Sequence, residues 1–281
     1  MGVVNASPES FSDAGHFDSF AEQCQRAAEL VDRGADIVDI GGQSAITNQP
    51  ELDAELEAER VVPLVEWLSR ERPDAIISVD SYKPPVVRQV IDAGAHLIND
   101  VSGLLYPETA QLCAAAGAGL VVMHTKARPK VRLQSAVAYD DVTAEVAAFL
   151  RSKIGEATSL GVAEESIIVD PGPDFAKTPH QTIAMLRDVE VFRAFGRPLL
   201  LALSRKDFLG AIVGKSPLGR AAATTAAVAH LSAKPGNIVR VHDVEAAVDA
   251  ISVIDVLTGR RDVPPDYLLP DAIRHEPRKP S

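Results

Sequence analysis

The chain has few cysteines, which could cross-link it, and no long apolar run, which could insert it into a membrane. It has two cysteines in 281 residues, Cys24 and Cys113, which are too few for a disulfide framework or a structural zinc site. Both lie in helix-like stretches and are predicted to be core residues in a reducing cytoplasm. No apolar run approaches the roughly 18–20 residues that cross a bilayer. Membrane association is therefore not expected.

Positive charge is also scarce. The net charge is −11 and the sequence pI is about 5.1, whereas a nucleic-acid or membrane-surface protein needs a basic face. These two roles are not expected. An anionic small substrate stays possible, because a pocket can be locally basic within an acidic protein.

A short glycine motif recurs along the chain. In each copy a helix-like stretch ends at glycine and a continuous apolar run follows. It reads "GADIVDI" at Gly34, "GAHLIND" at Gly94 and "GAGLVVM" at Gly117, with related breaks at Gly196 and Gly236. Glycine is common just past a helix end, and unbroken apolar runs are typical of parallel strands buried on both faces. The glycine motif therefore predicts repeated helix-to-strand units.

Eight such strands can be counted, at about 2–5, 36–40, 75–80, 97–99, 119–124, 166–170, 198–203 and 237–241. Amphipathic stretches separate them, and an eighth helix is expected near 243–258. Eight βα units predict an α/β fold of the TIM (β/α)8 barrel type in one domain, residues 1–258, followed by a Pro-rich tail, residues 259–281. A doubly wound sheet is the alternative, but "NASPES" after the first strand is not its Gly-rich turn.

All eight strands end in polar or reactive residues, which a TIM barrel would gather at one mouth. In chain order they are Asn5, Asp39, Asp80, Asn99 with Asp100, Met123 with His124, Asp170, the run Ser204–Arg205–Lys206, and Arg240 with His242 and Asp243. Some have structural interpretations: Asp39, Asp100 and Asp243 can be helix N-caps, and His124 a satisfied rim histidine.

The remaining groups divide into two chemistries. Asp80, Asn99 and Asp170 suit a heterocycle edge rich in N–H donors beside a carbonyl, such as an aminopyrimidinone. Lys206, Arg240 and His242 suit phosphate. A heterocycle that carries a diphosphate would use both. No spacing indicates a dedicated protein metal site, but Mg²⁺ held by a diphosphate and one side chain, such as Asn5, is expected.

A series of motifs in this order resembles dihydropteroate synthase over about residues 2–250. The motifs are "GVVNASPESFSDAGHF", "DIVDIGG", "ISVDSYKP", "INDVSG", "VVMH", "IIVDPGPDFAKT", "LSRKDFLG" and "VRVHDV". The resemblance implies a TIM barrel that joins 6-hydroxymethyl-7,8-dihydropterin diphosphate to p-aminobenzoate, with Mg²⁺, and a homodimer.

The resemblance also assigns residue roles, three of them catalytic: Lys206, Arg240 and His242. The pterin pocket would comprise Asp80, Asn99, Met123, Asp170 and Lys206. The diphosphate would bind Asn5, Arg240 and His242, with Asn5 on the metal. The p-aminobenzoate would be received by Phe175, Arg205, Lys206, Asp207 and the start of the following helix.

The chain departs from the family pattern mainly on the p-aminobenzoate side. Ala45, Ile46 and Thr47 replace the Thr-Arg-Pro of the second loop, and Asp207 replaces a serine. "GFGK" has become "DFAK", with Asp174 and Ala176, and Ala202 replaces a glycine; Ser7 and Glu9 are milder changes. The departures leave one alternative open, a pterin-binding paralogue without synthase activity or with another acceptor. A second alternative, a methyltetrahydrofolate–corrinoid methyltransferase, shares the Asp/Asn/Asp pterin grip but needs no diphosphate site. The departures also predict weakened inhibition by sulfonamides, as in resistant synthases.

Overall fold

Eight parallel strands form one sheet whose spatial order is the order of the sequence. The computed structural model describes residues 1–6, 19–43, 47 and 50–276. The strands are β1 Gly2–Asn5, β2 Ile37–Gly41, β3 Ile76–Asp80, β4 Leu97–Asp100, β5 Gly119–Met123, β6 Ile167–Asp170, β7 Leu199–Ala202 and β8 Asn237–Arg240. The eight predicted strands are confirmed, and their bounds differ from the prediction by at most one residue.

The sheet closes where the first strand meets the last. The amino group of Met1 donates to the carbonyl of Val239 at 3.0 Å, and the amide of Val241 donates to the carbonyl of Met1 at 3.0 Å. A single bridge then pairs Gly2 with Val241. The predicted (β/α)8 barrel is therefore confirmed.

Helices separate the strands and cover the barrel. They are α1 Phe20–Asp32, α2 Ala54–Glu71, α3 Pro84–Asp92, α4 Pro107–Ala116, α5 Val142–Ser159, α6 Pro179–Arg187, α7 Glu190–Arg193, α8 Asp207–Val213, α9 Ala221–Leu231 and α10 Val244–Leu257. Their starts follow local chemistry: Ser19 and Thr178 form capping boxes, and proline opens α3, α4 and α6. No helix in the described ranges is long and apolar enough to cross a membrane.

The glycine motif forms helix-to-strand turns, as predicted. Gly94 and Gly117, which precede β4 and β5, have φ values of 108° and 69°. Only glycine enters this region at little cost, so these residues turn the chain from helix to strand. Cys24 and Cys113 are buried and unpaired in α1 and α4, as predicted.

Alternation along the strands positions the polar groups. Residues two apart on a strand point to the same side, and a small apolar cluster fills the barrel near the strand starts, with Ile37 and Leu97 among its members. Two residues further along the same strands stand Asp39 and Asn99. The barrel interior therefore changes from apolar to polar towards the C-terminal ends of the strands.

The chain after α10 is mostly exposed. Its described part contains one short 3-10 turn, Asp271–Ile273. The division into a barrel of residues 1–258 and a tail of residues 259–281 stays a prediction, and residues 277–281 lie outside the described part.

Candidate functional site

An ion network occupies the polar end of the barrel. Arg240 donates through Nε to Asp39 at 2.6 Å and through Nη2 to Asp80 at 3.1 Å. Asp39 also accepts from the hydroxyl of Ser78 at 2.6 Å and from the amide of Asn99 at 3.1 Å. One guanidinium therefore joins β8 to β2 and β3, and Asp39 is the centre of the network.

This position corrects the expectation for Asp39. Asp39 is fully buried within β2, whereas the helix that follows is capped by Asp53. Asp100 is not a helix cap either: it accepts from the amide and hydroxyl of Ser102 and shapes the loop before α4. Asp243 does cap its helix, accepting from the amide of Ala246 at 3.1 Å, as predicted.

Burial dominates the electrostatics of this network. It raises the pKa of Asp80 to about 7, although Arg240 opposes the shift. Burial likewise opposes the charge of Arg240, but Asp39 and Asp80 hold its pKa above the ordinary value. The Oδ1 atom of Asn99 is buried and has no hydrogen-bond partner in the described part of the chain. It is an acceptor available to a ligand N–H group.

The loop after β6 brings a second set of groups to the mouth. Asp170 is 2% exposed, and its Oδ1 accepts from the amide of Gly172 at 2.7 Å. Burial raises the pKa of Asp170 to about 6, with the Gly172 amide and Lys206 opposing. The loop then turns through Asp174 and Ala176, whose φ values are 62° and 52°. Few non-glycine residues adopt this region, so contacts elsewhere must hold the loop.

Lys177 supplies those contacts, and sequence reasoning missed it. It is fully buried, and its Nζ donates to Nδ1 of His124 at 2.9 Å, to the carbonyl of Gly172 at 2.9 Å and to that of Phe175 at 3.0 Å. Burial lowers the pKa of Lys177 to about 7, with Asp170 opposing. Lys177 therefore fastens the loop after β6 to the end of β5.

His124 is the satisfied rim histidine that the sequence allowed. It is 1% exposed, and its ring meets Phe149 edge-on at 4.9 Å. Burial lowers its pKa to about 2, and Lys177 and Lys126 add to the shift. His124 is therefore neutral, as the hydrogen bond from the ammonium of Lys177 requires.

We expect His124→Gln to flatten the acid limb of the stability profile. Below pH 6.5 the unfolded chain binds a proton at His124 that the folded chain does not, so stability falls as the pH falls. Between pH 6.5 and 4.5 the free energy of unfolding of the wild type should drop, relative to the variant, by up to about 1.4 kcal/mol per pH unit. Urea denaturation measures this difference. Parallel profiles would contradict it, and His230→Gln, at an exposed site on α9, is the control.

A cavity of about 340 Å³ opens above the network. Its walls come from the loops that follow six strands, β2 to β7, together with Glu57 of α2. The lining residues are Gln43, Thr47, Glu57, Asp80, Tyr82, Val101, Thr125, residues 127–134, residues 174–176, Lys206 and Asp207. Ser7, Glu9, Ala45 and Ile46, which carry predicted departures, lie outside the described residues.

Lys206 and Phe175 face each other in this cavity. The Nζ of Lys206 lies 4.3 Å from the centroid of the Phe175 ring and donates to the carbonyl of Pro173 at 3.1 Å. Burial lowers the pKa of Lys206, while Asp174 and then Asp170 oppose the shift. The two residues form a flat, cationic wall that suits an electron-rich ring.

The structure separates the other residues predicted after β7. Asp207 lines the cavity and pairs with Arg220 at 3.0 Å. Arg205 does not line it and instead lines a smaller cavity with Thr224 and Asp243. The assignment of Arg205 to an acceptor site stays a prediction.

The predicted diphosphate residues lie at the same end of the barrel. A hydrogen bond of 2.9 Å joins Nδ1 of His242 to the hydroxyl of Ser204. Asn5 ends β1, and its Oδ1 lies over Gly41, beside Asp80. The described residues contain no cluster of three or more metal-ligating His, Cys, Asp or Glu side chains.

Comparison with known proteins places the chain. The sequence profile of the family described as "pterin binding enzyme" matches residues 1–242. Dihydropteroate synthase of Escherichia coli K12 is 34% identical over 262 residues, 93% of this chain and 92% of that protein. The corresponding enzyme of Synechocystis sp. PCC 6803 is 38% identical over 92% of this chain and 89% of its own length.

Solved structures agree with the sequence comparison. The Yersinia pestis dihydropteroate synthase in complex with a sulfonamide drug superposes with a TM-score of 0.87 at 32% identity, over 92% of this chain and 94% of that one. The chain therefore belongs to the dihydropteroate synthase family of pterin-binding enzymes.

Proposed function

We propose that the chain catalyses the dihydropteroate synthase reaction, in which 6-hydroxymethyl-7,8-dihydropterin diphosphate and p-aminobenzoate give 7,8-dihydropteroate and diphosphate. The observation that carries the proposal is the junction of two chemistries at one mouth. Asp80 belongs both to the buried network and to the cavity wall, and Lys206 stands opposite Phe175 in the same cavity.

The pterin is assigned to Asp80, Asn99, Met123, Asp170 and Lys206. Carboxylates supply acceptors for its N–H edge, as does the Asn99 Oδ1, which has no hydrogen-bond partner among the described residues. The charge of a pterin-methyl cation would be stabilised by the nearby carboxylates, whereas Lys206 orients the ring. An arylamine is already a free nucleophile, so the reaction needs no strong base.

The diphosphate is assigned to Asn5, Arg240 and His242. Donors and fixed positive charge stabilise the negative charge that develops as the C–O bond breaks. The amide oxygen of Asn5 is the kind of hard ligand that Mg²⁺ accepts beside diphosphate oxygens, and the ion would neutralise the leaving group. We assign Mg²⁺ to Asn5 on that basis.

The acceptor is assigned to the side of the cavity formed by Phe175, Lys206 and Asp207, with Arg205 kept as predicted. Weakened sulfonamide inhibition stays a prediction, because most of the altered second loop lies outside the described residues. A cytoplasmic location fits the two unpaired, buried cysteines.

The test is an assay of diphosphate release by purified protein with the pterin diphosphate and Mg²⁺. We expect release that depends on p-aminobenzoate. Tight pterin binding with no release for any arylamine would favour the binding paralogue, and methyl transfer to a corrinoid would favour the methyltransferase.

Asp170→Asn tests the pterin pocket. The amide keeps one oxygen for the Gly172 amide but turns an NH₂ group towards ligand donors. Binding of pteroate should weaken by roughly 1.5–3 kcal/mol, measured by calorimetry, because a charge-assisted hydrogen bond is lost. Below pH 6 the difference in pteroate affinity between the variant and the wild type should narrow, since Asp170 with its pKa of about 6 is then protonated in the wild type.

The matched control is Asp243→Asn, which makes the same change at the same rim. Asn caps a helix about as well as Asp, so this variant should bind pteroate like the wild type. Equal affinity of Asp170→Asn and the wild type at pH 8 would remove Asp170 from the pocket.

We also propose a homodimer that uses the exposed apolar surface of the last helices. Ile212, Leu218, Val253 and Leu257 are 60%, 69%, 56% and 77% exposed. Exposed apolar residues grouped in one patch are typical of interaction surfaces, and we propose that these four form one. Sedimentation of Leu218→Glu/Leu257→Glu should show a shift to monomer, whereas Val137→Glu, on a loop after β5, should not. Unchanged sedimentation of all three proteins as dimers would place the interface elsewhere.

A further inference from the structure

Asp174 places a fixed carboxylate in the acceptor half of the cavity. Its Oδ2 accepts from the amide of Phe208, in the first turn of α8, at 3.1 Å, and its Oδ1 accepts from the hydroxyl of Thr182 at 3.0 Å. The residue also lines the cavity. The start of α8, where the resemblance places p-aminobenzoate, therefore already holds a carboxylate of the chain itself.

A second carboxylate stands beside it. Asp207 lines the same wall and is paired with Arg220. Lys206 does not balance an incoming anion fully, because Asp174 and Asp170 already stabilise its charge. A benzoate anion at this wall would meet like charge at short range, and like charges placed together in a binding site weaken binding.

Positive charge lies instead on the loop after β5. Arg128, Lys130 and Arg132 all line the cavity. Arg132 donates to the side-chain oxygen of Gln134 at 2.9 Å rather than to a carboxylate, and Arg128 forms no ion pair within the described residues. This loop therefore offers guanidinium groups to an anion at the cavity mouth.

We propose that the chain prefers an arylamine whose acidic groups lie beyond the benzoyl carbonyl, as in p-aminobenzoyl-L-glutamate, over p-aminobenzoate itself. Asp174 disfavours the shorter anion, and Arg128 and Arg132 bind the more distant carboxylates. The inference rests on the proposed function and names its acceptor class.

The bond changes are those of the parent reaction. The amine lone pair forms the new C–N bond to the pterin methylene carbon, and the C–O bond to diphosphate breaks with its electron pair on oxygen. The amine proton leaves to solvent. The product carries the 7,8-dihydropterin-6-ylmethyl group on the amine nitrogen of the acceptor, and the carboxylates of the glutamyl part take no part in the bond changes.

Competing acceptors supply the first test. We expect kcat/KM for p-aminobenzoyl-L-glutamate to exceed that for p-aminobenzoate by about tenfold, the size of a few screened charge interactions. Neutral p-aminobenzamide separates the two effects. Its kcat/KM should exceed that for p-aminobenzoate, because it lacks the repelled charge, but should fall below that for the glutamate conjugate.

Asp174→Asn removes the charge with little change of shape. Asparagine tolerates positive φ and still offers an oxygen to the Phe208 amide. The kcat/KM for p-aminobenzoate should rise by about fivefold or more, while that for p-aminobenzamide changes less than about twofold. Calorimetry with 6-hydroxymethylpterin, which carries no benzoate, confirms that each variant keeps its pterin site.

The basic loop is tested by Arg128→Gln/Arg132→Gln. The kcat/KM for p-aminobenzoyl-L-glutamate should fall by about fivefold or more, while that for p-aminobenzamide stays within about twofold. Lys126→Gln is the matched control: Lys126 lies on the same loop but pairs with Glu145 outside the cavity lining.

The outcomes separate this inference from the proposed function. No diphosphate release with any of the three amines would overturn the proposed function. Release with p-aminobenzoate favoured over the conjugate, together with an unchanged preference in Asp174→Asn, would overturn the acceptor inference alone. An unchanged preference in the double arginine variant would remove the loop from acceptor recognition.

Discussion

Replacement of Arg240 by methionine is expected to destabilise the protein by roughly 3–5 kcal/mol near pH 8, the usual cost of removing one partner from a buried ion pair. The guanidinium contacts Asp39 and Asp80, and Asp39 is fully buried. Methionine fills much of the space but leaves both carboxylates without a counter-charge. The free energy of unfolding, measured by urea denaturation, reports the loss.

The stability lost in Arg240→Met should decrease as the pH falls. The pKa of Asp80 is already about 7 beside Arg240, and removal of the cation raises it further. A carboxyl whose folded pKa exceeds its unfolded value binds more protons when folded, so stability increases as the pH falls from 8 to 5.5. The second substitution Asp80→Asn should restore part of the stability at pH 8.

Arg88→Met is the matched control. Arg88 pairs with Glu108 on the surface at 3.3 Å, with both side chains more than half exposed. Such pairs contribute within about 1 kcal/mol, and their loss should show no such pH dependence. A similarly small, pH-independent effect of Arg240→Met would mean that the network does not hold the strand ends together.

The sequence predicts the barrel well because the information is local. Each unit carries its own signals: a helix that ends at glycine, an unbroken apolar strand and a polar residue at the strand end. The parallel register of the barrel then brings the C-terminal ends of all the strands together at one mouth. This reasoning predicts Asp80, Asn99, Asp170 and Lys206 as groups at that mouth, and their assignment to a pterin stays a prediction.

Asp39 shows what the pattern left ambiguous. A carboxylate near the end of an apolar run looks the same whether it caps a helix or faces the barrel. The alternation of Ile37 and Asp39 on one strand could have decided it, since residues two apart face the same side. Arg240 is similar, because its partners Asp39 and Asp80 lie 201 and 160 residues away in the sequence.

Lys177 could not be predicted from local sequence. A lysine is almost never fully buried, so its burial is decided by partners from distant parts of the chain, above all His124. Arg205, which the resemblance places at the acceptor, lines the smaller cavity instead, and its backbone amide donates to the hydroxyl of Thr224 at 3.1 Å. Contacts between distant segments, rather than any motif, decide where both residues lie.

Gly172→Ala is expected to disrupt the loop that carries these contacts. A Cβ at Gly172 would lie 2.2 Å from the carbonyl oxygen of His124, and φ there is 64°. Left-handed backbone costs a non-glycine residue roughly 1–2 kcal/mol, and overpacking against backbone adds typically 1–3 kcal/mol. We therefore expect the free energy of unfolding to fall by about 2–5 kcal/mol in urea denaturation.

Gly117→Ala separates the two contributions. Gly117 has a similar φ of 69°, but no atom of the described residues lies within 4 Å of the position that a Cβ would occupy there, so only the backbone cost of about 1–2 kcal/mol applies. An equal loss in the two variants would mean that the close approach of Gly172 to His124 relaxes without cost.

The functional consequence of Gly172→Ala should exceed its effect on stability. The clash pushes the loop after β6 away from β5, and Lys177 bonds to both His124 and the Gly172 carbonyl, so it cannot keep both partners. Phe175 and Asp170 then lose their positions at the cavity. Pteroate binding should weaken in the folded variant, whereas Gly117→Ala should bind like the wild type. Unaltered pteroate affinity in folded Gly172→Ala would show that the loop can shift without moving the site.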